Sequence, residues 1–327
     1  MKNRIMRVVL SIILGLTGAI PALAQDYGTL DSLENRIIQI ANENPGEYGI
    51  GAIDINTGRA IGTNLDTPFP MASTMKIAVA AVYLDQVDQG YKSLDNIIAG
   101  QSAYSLMEQM IIRSNNHSTD ILIANVGGPA VINAWLKQHG IQGMRVDRNI
   151  AQLLAARRNL WEQEDSSTPR AMLTFLSKLD RGELTSTTSR NIIIDMMRRC
   201  ETGRNRIKGL INDGTIIEHK TGTLRNYTSD VGFMTLPDGK RIIVAFFARG
   251  GVNRPAVIAT AARAIRDGYD SSAAQSSQIA GWNPNYAYYE AQGATEQRPA
   301  PTGNLVAIRP RNSDPAESAK APESVEE

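Results

Sequence analysis

Between Leu30 and Asn44 the apolar positions Leu33, Ile37, Ile40 and Ala41 recur at helical spacing, and Pro45 stops the pattern. Tyr48 to Ile55 reads as a strand, with Asn56-Thr57-Gly58 as the turn and Arg59 to Thr63 as its hairpin partner. From Ser73 to Leu84 the chain is apolar almost throughout, which predicts a helix buried at the centre of a domain. Helical patterns continue through Leu106–Arg113, Thr119–Asn125, Ala130–His139, Pro169–Leu179 and Thr187–Cys200. Strand signals return at Thr215–Thr221, Tyr227–Leu236 and Arg241–Arg249, with Pro237-Asp238-Gly239-Lys240 turning between the last two. A final helix is predicted over Pro255–Asp267.

Strands at both ends with a long helical insertion predict an α/β (α+β) architecture. Residues 25–63 and 206–270 would build an antiparallel sheet with flanking helices. Residues 64–205 would form an inserted all-α lobe, with a site in the crevice between the two. The ends of the chain read differently. Residues 1–24 have a basic start (Lys2, Arg4, Arg7), an apolar run from Val8 to Leu16 and a small-residue cleavage site, Ala22-Leu23-Ala24, as in a signal peptide. That run is too short to span a bilayer, so the mature chain is expected in a periplasm or the medium, without a transmembrane segment. Residues 271–327 hold six of the fourteen prolines and are rich in Ala, Ser, Gln and Glu, the composition of a disordered tail. Trp282, Tyr286, Tyr288 and Tyr289 are its exception.

Charge and cysteine content narrow the function. The formal charge of +1 becomes −2 once the basic start is removed, which gives no footprint for nucleic acid or an anionic membrane. The single cysteine, Cys200, cannot form an internal disulfide and reads as a small buried residue on a helix. His117, His139 and His219 are scattered without metal-ligand spacing, so no metal or other cofactor is implied.

The chemistry lies in three short strings: Ser73-Thr74-Met75-Lys76, Ser114-Asn115-Asn116 and Lys220-Thr221-Gly222, successive serines and lysine being 41 and 106 residues apart. A serine one helical turn before a lysine puts both side chains on one face, where the amine can take the hydroxyl proton. The second serine and lysine would give a proton path to a leaving group and a positive charge for a substrate carboxylate. The three strings, in this order, resemble the signature of class A β-lactamases and penicillin-binding proteins. The flanks Phe69-Pro70-Met71-Ala72, His219 and Thr223, and Asp165-Ser166-Ser167-Thr168-Pro169 resemble the same family, over roughly Asp31 to Gly268.

The resemblance implies a β-lactamase/transpeptidase-like fold and a set of roles. Ser73 would be the nucleophile, Lys76 its base, and Ser114 the relay to the leaving nitrogen. Asn116 would hydrogen-bond Lys76 and the substrate amide. Lys220 and Thr221 would bind the substrate carboxylate beside Gly222, with Arg206 as an added cation and Arg225 as runner-up. The N–H groups of Ser73 and Thr223 would form the oxyanion hole. One departure matters. The family carries a glutamate in an R-x-E-x-x-L-N setting that activates the deacylating water. Counting 36 residues from Ser114 lands on Ile150, and Trp161-Glu162-Gln163-Glu164 lies too near the loop's end to replace it. The resemblance therefore implies a monomeric serine hydrolase acting on a small β-lactam or a peptidoglycan-type peptide. A slowly deacylating DD-peptidase or penicillin-binding protein, and a non-catalytic binding module, are the alternatives.

Overall fold

The computed structural model describes residues 30–156 and 159–271. The leader and the tail inferred above lie outside them. Helix α1 (Leu30–Glu43) buries Leu33, Ile37, Ile40 and Ala41 along one stripe. Strands β1 (Glu47–Asp54) and β2 (Ala60–Thr63) form the hairpin. The two-residue β3 (Phe69–Pro70) leads through a 3₁₀ turn, Ala72–Met75, into α2 (Lys76–Asp88), whose residues from Lys76 to Leu84 are all buried. A small hairpin of β4 (Ile97–Ile98) and β5 (Gln101–Ser102) precedes α3 (Ala103–Ile112), α4 (Asn116–Val126), α5 (Pro129–Gln138) and α6 (Ile150–Ala155). Then come β6 (Ser166–Ser167), which pairs with β3, and helices α7 (Pro169–Asp180) and α8 (Thr187–Arg198). The chain returns through β7 (Ile216–Leu224), β8 (Tyr227–Thr235) and β9 (Arg241–Arg249) to α9 (Arg254–Ser271).

The main sheet is antiparallel, in the order β2-β1-β9-β8-β7, which leaves β7 at an edge. Strand periodicity divides its residues between two cores. Met234, Ile242, Val244 and Phe246 join α1 and α9 on one face. Val231, Phe233, Ile243 and Phe247 join the other, a core continuous with that of the helices around α2. The mixed fold expected from the strand–helix–strand order is the one observed.

Local differences have physical reasons. The two-residue strands are too short to show a period, and α6 is six residues long, held by a capping box between Asn149 and Gln152. The nucleophile string does not open the α-helix; Ser73 sits in the 3₁₀ turn and α2 begins at Lys76. Cys200 is not on a helix as expected. Helix α8 ends at Arg198, and Cys200 follows in a turn where its N–H bonds to Met197 O at 3.2 Å.

Candidate active site

The nucleophile turn is fixed from several sides. Ala72, just before Ser73, has a positive φ of 48°, a conformation that costs a non-glycine residue about 1–3 kcal/mol and persists only where its surroundings impose it. Those surroundings are visible. Tyr227 donates its hydroxyl to Pro70 O, Thr74 Oγ1 donates to Met71 O at 2.8 Å, and β7 packs directly against the turn. Gly222 permits that approach: a Cβ there would lie 2.4 Å from Ser229 Oγ and 2.7 Å from Met71 O. Ser73 itself is half-buried.

Behind it, Lys76 is fully buried. Its Nζ donates to Ser114 O (2.7 Å), Asn116 Oδ1 (2.8 Å), Ser114 Oγ (3.3 Å) and Asn115 O (3.4 Å). The bond to Ser73 Oγ that the string suggests is not among them; the amine is held toward Ser114 instead. Burial first, and then the charge of Lys220, pull Lys76 down to about 6, against the opposing pull of Asp120. Lys220, also fully buried, donates to Ser114 Oγ at 2.9 Å and to Thr221 O at 3.0 Å. Burial brings it down to about 8, with Cys200 and Asp230 resisting the fall and Arg206 adding to it. Ser114 Oγ thus bridges two lysines from a residue held at a φ of 58°. Asn115 caps α4, accepting from Ser118 N at 2.9 Å, so the middle residue of its string serves the helix.

At the far end of the edge strand, Arg206 donates to Gly222 O (3.0 Å), Ser229 O (2.8 Å) and Thr223 Oγ1 (2.6 Å). Arg225 lies instead at the β7–β8 turn. With Asn226, Asn159, Leu160 and Trp161 it lines a cleft of about 620 Å³. Thr221 turns its hydroxyl to Thr202 Oγ1, at 2.5 Å.

The loop leading into α7 closes on its own ion pairs. Arg148 bridges Asp165 and Glu162, while Asp165 Oδ1 accepts from the N–H groups of Asp147 (2.7 Å) and Arg148 (3.0 Å). With Arg148 as the arginine of R-x-E-x-x-L-N, Ile150 takes the glutamate position and Leu154 that of the asparagine. Ile150 is buried at the head of α6; its N–H and that of Ala151 donate to Asp120 at 2.6 and 3.0 Å. Leu154 is exposed, as is Glu164. Two contributors escaped the sequence reading. Asp120 follows Asn116 by one helical turn, a spacing that could have flagged it. Arg249 pairs with Glu47, lies over the rings of Phe69 and Trp161, and donates to Pro68 O and Leu160 O, both at 2.9 Å. It fastens the loop's end to the sheet, and no local pattern announces it.

A serine beside a buried lysine of lowered basicity, with a second serine between two lysines, defines a serine acyl-transfer site in a crevice between sheet and helices. The profile of the β-lactamase enzyme family matches residues 32–269, and the chain belongs to that family. A β-lactamase of Bacteroides uniformis is 30% identical over 253 residues, 67% of this chain and 83% of the relative. A variant of the last common ancestor of Gram-negative bacteria class A β-lactamase superposes with a TM-score of 0.68 at 29% identity, covering 73% of this chain and 98% of that one. A β-lactamase from Chitinophaga pinensis gives a TM-score of 0.68 at 26% identity, covering 72% and 99%. The chain is a class A-type serine hydrolase.

Proposed function

We propose that the protein opens β-lactams by forming an acyl-enzyme on Ser73, and that this acyl-enzyme is released slowly. The observation that carries the first half is the buried Lys76–Ser114–Lys220 chain. With its basicity lowered to about 6, Lys76 is an amine at neutral pH and accepts the Ser73 proton as Oγ attacks the lactam carbonyl. The proton passes through Ser114 Oγ to the departing nitrogen. Lys220, charged below about 8, offsets negative charge next to Ser114 and attracts the substrate carboxylate, with Thr223 and Arg206 beside it. The N–H groups of Ser73 and Thr223 receive the developing oxyanion; such a donor typically contributes about 3 kcal/mol.

The second half rests on Ile150. An isoleucine cannot orient or deprotonate a water, and a positioned general base contributes about 10²–10⁴-fold. The same observation favours the DD-peptidase or penicillin-binding reading, in which long-lived acylation by β-lactams accompanies action on D-Ala peptides. Export to a periplasm or the medium accompanies either reading, on the pattern of residues 1–24. Pre-steady-state kinetics with a chromogenic cephalosporin decide the matter. A burst near one equivalent, then slow turnover, with the adduct persisting by intact mass, is expected. Fast linear turnover without a burst would overturn slow release.

A further inference from the structure

Two threonines of β7 turn their hydroxyls to one neighbouring segment. Thr221 and Thr223 alternate with Gly222 and so share a face of the strand. Residues 200–206, between α8 and the 3₁₀ turn Ile207–Leu210, lie against that face: Thr202 meets Thr221, and Arg206 meets Thr223. Gly203, at a φ of 72°, permits the approach, since a Cβ there would lie 2.4 Å from Thr221 Cγ2 and 3.2 Å from Arg206 Cδ. The methyl of Thr221 is packed against the segment, which holds the χ1 of this β-branched side chain. Its Oγ1 then stands 2.5 Å from Thr202 Oγ1. Thr221 is buried, Thr202 half-buried and Thr223 exposed.

Counting hydrogens gives these contacts a direction. A hydroxyl has one hydrogen to donate and two lone pairs to accept with, whereas a guanidinium only donates. Arg206, 2.6 Å from Thr223 Oγ1, therefore makes that oxygen an acceptor and leaves its hydrogen for another group. The Thr202–Thr221 pair shares one hydrogen between two oxygens. Were Thr221 to supply it, Thr221 would offer only lone pairs to a carboxylate, and two acceptors repel. If Thr202 supplies it, Thr221 keeps its own hydrogen. Thr202 Oγ1 has a second neighbour, the Cys200 thiol at 3.3 Å. A thiol is a weak donor, so Thr202 can accept from sulfur while donating to Thr221.

We propose that Thr202 is a positioning residue: it donates its hydroxyl hydrogen to Thr221 Oγ1, so that Thr221 and Thr223 each present a hydroxyl hydrogen to the substrate carboxylate. Arg206 does for Thr223 what Thr202 does for Thr221. Each threonine that accepts one hydrogen bond becomes a stronger donor in the next, because linked hydrogen bonds polarise one another. Carboxylate recognition, which belongs to the function proposed above, thus extends past β7 to a side chain that does not touch the substrate.

Thr202→Val keeps the shape of the side chain and removes the hydroxyl, while Thr202→Ser keeps the hydroxyl. Stopped-flow acylation by a penicillin and by its methyl ester, which lacks the carboxylate, separates the dissociation constant of the non-covalent complex from the limiting acylation rate. In Thr202→Val the dissociation constant for the penicillin should rise about two- to tenfold, the range of one ordinary hydrogen bond, with the limiting rate within about twofold of wild type. The ester should bind as before, and Thr202→Ser should restore the wild-type value. Added to Thr221→Val, Thr202→Val should have no further effect. Equal weakening of penicillin and ester, no weakening of either, or the same loss with and without the Thr221 hydroxyl would overturn the proposal. A wild type that no penicillin acylates would sink the β-lactam reading. Unfolding of wild type, the two valine variants and their double would still decide the pair: additive losses of stability would overturn donation from Thr202 whatever the substrate, and a smaller loss in the double would uphold it.

Discussion

On the side of the cleft built by α2, α4 and β7, the groups that acylation needs are held in fixed partnerships. Lys76 has four acceptors, Ser114 Oγ receives from two lysines, and Lys220 is wholly enclosed. On the side built by α6 and its loop, the positions that would serve deacylation are hydrocarbon, and nearby carboxylates are spent on structure. Asp165 and Glu162 close the loop through Arg148, and Asp120 holds the head of α6. The two half-reactions of a serine hydrolase are thus separable in design. Lowering a lysine's basicity takes burial and a second cation, whereas activating a water takes a base with nothing else to bond.

The largest effect should come from Ser73→Ala. Labelling by a fluorescent penicillin should be lost entirely in the folded variant, since the proposed nucleophile is gone and Ser114 Oγ is engaged by two lysines. Undiminished labelling would remove the acylation side of the comparison. Next, Ile150→Glu combined with Leu154→Asn should convert the deacylation side to the family's pattern. The rate of adduct loss, followed by intact mass, should rise by about 10²-fold. Burying a carboxylate next to Asp120 will hold the gain below the upper end of the general-base range. An unchanged rate would show that Ile150 is not what slows release.

A smaller effect is expected from Lys220→Ala. A charge-assisted hydrogen bond contributes roughly 1.5–3 kcal/mol, so kcat/KM for a carboxylate-bearing β-lactam should fall about ten- to a hundredfold. The wild-type acylation rate should rise as Lys76 loses its proton near 6 and fall as Lys220 loses its own near 8. Both lysines are lowered, so each acts at neutral pH in the state the mechanism requires, the first neutral and the second charged. In Lys220→Ala the alkaline limb should disappear, and the acid limb should shift upward because Lys76 no longer faces a second cation. A bell of unchanged shape would assign both limbs to other groups.

What the sequence disclosed follows the same division. Ser73, Lys76, Ser114 and Lys220 could be nominated because each sits in a short string next to an element the sequence signals, the buried α2, helix α3 or the strand β7. The sheet and its helical insertion were legible from periodicity. Helix α6 was not, since six residues give less than two turns of pattern and its caps are polar. Arg249 reaches Leu160 across 89 residues, and Thr202 meets Thr221 only once β7 is placed; contacts of that kind leave no local spacing. Cys200 is buried as its small size suggested, and only its place just past the end of α8 departs from the expectation.

The smallest effect should come from Glu162→Gln and Glu164→Gln, and it tests the comparison at its weakest point. Both residues line a small pocket that also includes Ala72, next to the nucleophile, so proximity alone would nominate either as a replacement base. Glu162, however, is bound to Arg148, which also holds Asp165, so its carboxylate is committed to closing the loop rather than to orienting a water. Glu164, though it lines the same pocket, is exposed to solvent. Each substitution should change the steady-state turnover of a cephalosporin by less than about twofold, far below the 10²–10⁴-fold expected of a general base. Glu162→Gln should also lower stability by about 1 kcal/mol or less, as a partly exposed ion pair is weakened. Loss of turnover in either variant, with acylation intact, would mean that the loop brings a carboxylate onto the acyl-enzyme. The deacylation side would then be as fully built as the acylation side, by residues placed some dozen positions later in the chain.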